Sequence, residues 1–204
     1  PAKAVDMLAA RSQFDGFTSA DDDATLALQQ LVDRNGLKRG YRKATLSELK
    51  HSCAFVTVTR GDPDEHQPHA VVRFYPATSA AALWSEENNR IACGMVVVGR
   101  DMRPGHGEPT WVNVFTDEAV IVIRRQAEGQ PWRAEYLPHS MGRCLMEPLA
   151  YDATLERHFG KSRISRAVMD LTDSAMRAAV RSEISSEFFT SPQKYLLGVD
   201  EDPF

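Results

Sequence analysis

The stretch Gly61-Asp62-Pro63-Asp64-Glu65-His66-Gln67-Pro68-His69 holds the densest set of metal-ligating side chains in the chain: Asp62, Asp64, Glu65, His66 and His69. Carboxylate oxygen combined with imidazole nitrogen is a possible ligand set for a divalent transition metal. The spacing fits no established metal signature, and Asp, Pro and Gly are also the residues a polar hairpin turn demands, so a solvated loop accounts for the same residues. His106 lies between Gly105 and Gly107, too flexible a setting for a general base. Cys144, in GRCLMEP, has no partner signature of a nucleophile, and the sequence contains no GxSxG. Gly160-Lys161-Ser162 lacks the upstream glycine of a phosphate loop and follows no strand, so it reads as a helix start with Ser162 as the cap. No catalytic, cofactor-binding or metal-binding residue is assigned, no cofactor is expected, and the chain reads as a non-enzyme.

The elements around these residues follow from periodicity. The first third is helical: a short helix through Val5, Met7 and Leu8, a turn at Asp15-Gly16, and a Ser19-Ala20-Asp21 cap leading into a second helix with Leu26, Leu28, Leu31 and Val32 on its apolar side. Asn35-Gly36 ends that helix, and a third is predicted from Ala44 to Lys50, capped by Thr45 or Ser47, with Leu46 and Leu49 inward. The middle third changes to period two. CAFVTVTR, AVVRFYP, GMVVVGR, TWVNVFT, AVIVIRR and WRAEYLP are β-branched or aromatic runs separated by Gly, Pro, Asp and Asn, which predicts antiparallel strands meandering into one sheet. Hairpin breaks are expected at Gly61 to Asp64, Asp101 to Gly107, Thr116-Asp117 and Gly129-Gln130. ATSAAALWSEENN reads as a turn or short helix, and Pro138 to Tyr151 as an extended connection. The fold class is α+β: N-terminal helices, an antiparallel meander sheet, then one long C-terminal helix.

That helix, within FGKSRISRAVMDLTDSAMRAAVRSEISSEFF, is the most informative element. Ile164, Val168, Leu171, Ala175, Ala178, Ser182 and Ser185 recur at spacings of three and four and form one face that narrows from aliphatics to Ala and Ser. Small residues allow a neighbouring helix to approach closely. Arg163, Arg166, Asp170, Asp173, Arg177, Arg181 and Glu183 surround the rest; the arginines face either phosphates or a neighbouring subunit's carboxylates, or lie on a solvated face where Asp173 and Arg177 pair at i, i+4. A helix of about 25 residues, about 38 Å long, needs something beside it.

Composition sets the outer bounds. A chain of 204 residues, 43% hydrophobic and 25% charged, is that of a globular domain. No apolar run reaches the ~20 residues of a membrane span, and the N-terminus has no secretion-signal pattern, so a cytoplasmic setting without a membrane partner is expected. Cys53, Cys93 and Cys144 are odd in number and widely spaced, which fits free thiols better than a disulfide framework. The net charge of −4 limits any nucleic-acid contact to something local or loose.

FGKSRISRAVM, the helix after it and SEFFTSPQKYLLGVDEDPF resemble the portal proteins of tailed bacteriophages, especially those of phages and prophages of actinobacteria, and PAKAVDMLAARSQFDGF, HSCAFVTVTRG and MEPLAYDATLERHFGKSRISRAVM resemble that family in the same order. The resemblance implies a structural protein whose copies, about twelve in the family, form a ring at one capsid vertex. By the same resemblance, duplex DNA is pumped through such a ring by the terminase large subunit during packaging and later leaves through it toward the tail, passing non-specifically. Capsid and head-tail adaptor proteins are the other implied partners, with the host cytoplasm as the place of assembly and the virion vertex as the final location. By this likeness residues 1–160 are a wing-like α+β domain, residues 161–191 a stem-like helix, and residues 192–204 the start of a clip-like segment with its first strand over 193–197. Arg163, Arg166, Leu171, Ala175, Arg177, Ala178, Arg181 and Ser182 become the candidate inter-subunit residues. Set against the family pattern, a chain that starts at Pro1 and stops at Phe204 reads as a truncated portal. The alternatives are another phage head-assembly or adaptor protein, and a metal-dependent hydrolase built on the Asp62 to His69 loop.

Overall fold

The fold is described from a computed structural model, which describes residues 2–18, 22–62, 64, 66–105 and 107–190. The predicted Ser19-Ala20-Asp21 cap, Glu65, His106 and the clip-like residues 192–204 lie outside them, as does the side chain of Leu26. Two compact units are present, one formed by Ala2–Ile164 and the other containing the helix that follows Ser165.

In the first unit, helices α1 (Ala2–Arg11), α2 (Asp22–Asn35) and α3 (Leu37–His51) precede eight strands. Val5 and Ala9 of α1, spaced i, i+4, bury against Leu49 of α3, and Lys50 pairs with Asp6 at 2.9 Å. Helix α3 starts seven residues earlier than Ala44, because Leu37 is a buried anchor and the break between helices is only Gly36, left-handed at φ 59. Thr45 and Ser47 therefore lie inside the helix rather than capping it, and no side chain caps its start. Gly40 lets α3 lie close on the sheet: a Cβ there would stand 2.5 Å from the Phe74 ring.

The strands are β1 (Cys53–Arg60), β2 (Ala70–Pro76), β3 (Ala80–Ser85), β4 (Arg90–Arg100), β5 (Pro109–Phe115), β6 (Ala119–Arg124), β7 (Arg133–Pro138) and β8 (Met146–Ala150). They form two antiparallel sheets, ordered β2-β1-β8 and β3-β4-β5-β6-β7, in place of the single meander predicted. The chain leaves the first sheet at Pro76, where a turn closed by the Ser79 N–H on the Pro76 carbonyl redirects it, and β8 later occupies the second edge of β1. Both edges of β1 are thereby filled, and β3 to β7 pair among themselves as a separate sheet.

The core lies between the sheets. Cys53 and Phe55 of β1, with Cys144 and Met146 at β8, pack against Ile91, Val96, Phe115, Val120 and Val122 of the larger sheet. The closest approach is Gly94 of β4 to Met146: a Cβ at Gly94 would meet the Met146 Sδ at 2.2 Å. Strand β7 contributes nothing to this core and is exposed along its whole length.

The second unit contains α4 (Arg166–Thr190), which begins at Arg166 rather than at residue 161. Among the described residues no helix is long and apolar enough to cross a membrane.

Candidate functional site

Helix α4 forms because 25 residues run without Gly or Pro and include four alanines. Its cap is Ser165, not Ser162: the Ser165 Oγ accepts the Val168 N–H at 3.4 Å, and the Met169 N–H reaches the Ser165 carbonyl at 3.1 Å. Ser162 does a different task in the first unit. Its hydroxyl donates to the Lys50 carbonyl at 2.7 Å and accepts the Ile164 N–H at 3.1 Å, while the Arg163 N–H donates to the Leu49 carbonyl at 2.8 Å. These bonds satisfy carbonyls that the end of α3 leaves open. The Arg163 guanidinium bonds the Tyr151 hydroxyl and stands over its ring at 5.4 Å, so Arg163 belongs to the fold of the first unit and precedes the helix.

Arg166, Leu171, Ala175, Arg177, Ala178, Arg181 and Ser182 all lie on α4 and all are exposed, and no residue of the helix is buried. Leu171, Ala175, Ala178 and Ser182 share one side. A second apolar stripe, which the small-residue pattern obscured, consists of Met169, Met176, Val180 and Ile184, continued by Phe188. Spacings of seven, four, four and four place it roughly 160° from the first at 3.6 residues per turn. Its members are 51 to 66% exposed. This stripe was readable in the sequence as a second i, i+4 series.

Among the described residues the charges of α4 have no ion-pair partners. Asp173 and Arg177 do not form the i, i+4 pair, and among the described residues Arg166, Asp170, Arg181, Glu183 and Glu187 are likewise without an ion pair. The first turn has no acid and the last turn no base, so its own side chains do not offset the helix dipole.

Two of the residues considered for chemistry, Asp62 and Cys144, serve the fold. Asp62 caps its own loop, its carboxylate accepting the Asp64 N–H at 2.9 Å, and the Gly61 N–H closes the loop on the His69 carbonyl at 3.0 Å. Cys144 is buried, its thiol directed at the Phe115 carbonyl at 3.5 Å, and burial pushes its pKa up to about 11. A nucleophilic thiol requires the opposite shift. Burial also raises Cys53, and Cys93 is half-buried; all three thiols are free.

No family profile matches the chain. It is similar to the portal protein of Mycobacterium phage L5, 25% identical over 207 residues, and to the portal protein of Mycobacterium phage D29, 25% identical over 203 residues. Each alignment takes in 96% of this chain and 40% of the relative, so the chain spans well under half the length of the curated relatives it matches. It is thus similar, at low identity, to two phage portal proteins, and it has an α+β fold in which the long helix α4 is the last described element.

Proposed function

We propose that this chain is a portal-type structural protein of a phage or prophage, and that α4 is the surface through which copies associate into a ring at the capsid vertex. The observation that carries the reading is α4 itself: a helix of 25 residues with no buried residue and two opposed apolar faces. An isolated helix keeps such faces exposed only at a cost in solubility, and covering them with further helices removes that cost. In this reading residues 1–160 are the wing, residues 161–191 the stem and residues 192–204 the start of the clip. Arg166, Arg177 and Arg181 meet carboxylates of neighbouring helices. The terminase large subunit, capsid and head-tail adaptor proteins are its partners, and duplex DNA passes without sequence preference. The distant likeness to two portal proteins supports the class, and α4 supports the mode of association.

The test compares the chain with Ala178→Leu and with Val180→Asp by sedimentation velocity over a concentration series, with electron microscopy of any assemblies and circular dichroism for helix content. Ala178→Leu overfills the small face, at about 1–3 kcal/mol for a packed site, and Val180→Asp places a charge on the other. Both should weaken self-association while the helix remains. A chain that stays monomeric at its highest soluble concentration, or assemblies unchanged by both substitutions, would refute the reading.

A further inference from the structure

Five of the ten residues from Arg34 to Lys43 are Arg or Lys and none is acidic, in a chain where acids outnumber bases 28 to 24. The structure adds Arg73 from β2 to this run. Where the end of α2, the start of α3 and β2 meet, an open cleft of about 610 Å³ is lined by Arg34, Arg39, Lys43 and Arg73, with Asp33 as its one acid. All four cations are exposed, and none has an ion-pair partner among the described residues. Asp33 is taken by Gln29, whose Nε2 donates to its carboxylate at 3.2 Å.

The cleft is preformed. Asn35 stitches the end of α2 to the free edge of β2, its Nδ2 donating to the Leu31 and Ala70 carbonyls at 3.0 Å each and its Oδ1 accepting the Val72 N–H at 2.9 Å. Gly40 sets α3 tight against Phe74 on the other side. Four like charges gathered on a fixed scaffold raise a local positive potential that attracts anions. Three of the four are arginines, whose planar fork matches phosphate oxygens in pairs. The cations come from three separate elements along an open cleft, which suits a string of phosphates better than a single small anion.

We infer that this cleft binds the phosphodiester backbone of nucleic acid, without reading its sequence. The inference does not rest on assembly through α4, because every residue of the cleft lies in the Ala2–Ile164 unit. Binding here is local, as a chain of net charge −4 requires.

The test is fluorescence anisotropy with a labelled random duplex titrated from low to physiological salt. Four neutralised phosphates at about −0.9 each predict a slope of log K against log salt of about −3.6. Arg39→Gln with Lys43→Gln, and separately Arg34→Gln with Arg73→Gln, should each lower that slope by about 1.8 and weaken low-salt binding about tenfold or more. Using two pairs on different elements, each checked by circular dichroism, keeps the outcome readable if one pair fails to fold. Lys3→Gln with Arg11→Gln on α1, two exposed cations outside the cleft, should leave the slope unchanged. Tripolyphosphate and poly-glutamate serve as competitors: duplex binding that survives modest concentrations of both supports a backbone site. The inference is overturned by absence of duplex binding at low salt, by a slope that neither cleft pair alters, by an equal loss of slope in the α1 pair, or by binding of either competitor without the duplex.

Discussion

Replacing Gly94 with Ala should destabilise the first unit, although the same change in an unstrained strand is ordinarily favourable by about 0.5–1 kcal/mol. The reason is the junction of the two sheets. A methyl at position 94 would lie 2.2 Å from the Met146 Sδ, 3.3 Å from its Cγ and 3.4 Å from its Cβ, and Met146 is fully buried at 0% exposure. Either Met146 leaves its rotamer or the sheets separate, and overpacking of this kind costs about 1–3 kcal/mol. Met146→Ala alone creates the reverse defect, a cavity worth about 2–5 kcal/mol. In the double variant the new methyl enters space that the methionine has vacated. The double variant should therefore be more stable than the sum of the singles by about 1 kcal/mol or more, well outside the ~0.5 kcal/mol within which independent sites add. Urea denaturation followed by tryptophan fluorescence is the suitable assay, because Trp84, Trp111 and Trp132 all lie in the Ala2–Ile164 unit and α4 contains none. Additive singles would mean that Gly94 and Met146 do not share the space between the sheets, and the account of the core would fail with them.

Acid stability should depend on Asp101, whose carboxyl is held well below the usual carboxylate range, first by the Arg103 side chain at 2.6 to 3.1 Å and then by the Arg103 and Glu128 N–H groups. A pKa lower in the folded than in the unfolded chain gives stability that is present above about 3.9 and lost as the pH falls below it, so Asp101→Asn should flatten the urea midpoint between about pH 5 and pH 2, and an unchanged acid limb would count against the pair. Thiol labelling of the native protein near neutral pH should modify Cys93 first, with Cys53 and Cys144 reacting only after denaturation; rapid labelling of Cys144 in the native state would contradict its burial.

Strands β1, β2 and β4 to β7 were legible because Val, Ile, Thr and aromatic residues alternate between clear turn residues. The two missed strands broke that rule for separate reasons. Strand β3 opens with Ala80, Ala81 and Ala82, which carry no β preference, and is held by its pairing with β4 across Ala80–Val96 to Ser85–Arg90. Strand β8 contains Pro148, which argues against a central strand but is tolerated at a sheet edge, where it stands opposite Phe55. Missing β8 hid the division into two sheets, since only its long-range return fills the second edge of β1. At the candidate site the small-residue face and the charges of α4 were readable, whereas their lack of partners required coordinates. The basic cleft was half visible as the run from Arg34 to Lys43, but Arg73, thirty residues beyond Lys43, joins it only through the α2–β2 stitch at Asn35.

The two faces of α4 bear on what kind of assembly the proposed association would produce. A helix with one apolar face is satisfied by an isologous pair, each copy presenting the same patch to the other. Here the faces differ in texture: Leu171, Ala175, Ala178 and Ser182 make a shallow side, and Met169, Met176, Val180 and Ile184 make a raised one roughly 160° around the helix. Pairing shallow with shallow leaves every raised side uncovered, and pairing raised with raised leaves the shallow side uncovered. Shallow against raised covers both with one repeated contact, and that contact is heterologous, so it repeats from copy to copy until rotation closes a ring or the chain of copies continues as a filament. The unpaired charges add register to this contact. Asp170 and Asp173 lie in the first half of the helix, Arg177 and Arg181 follow, and Glu183 and Glu187 come last, so a neighbour shifted along the axis by about two turns sets acid beside base at both ends of the arginine pair. A stagger of that kind favours a tilted, cyclic packing over a flat two-fold one, and it is the packing in which Ala178 and Val180, the two positions chosen for substitution, would both face a neighbouring helix.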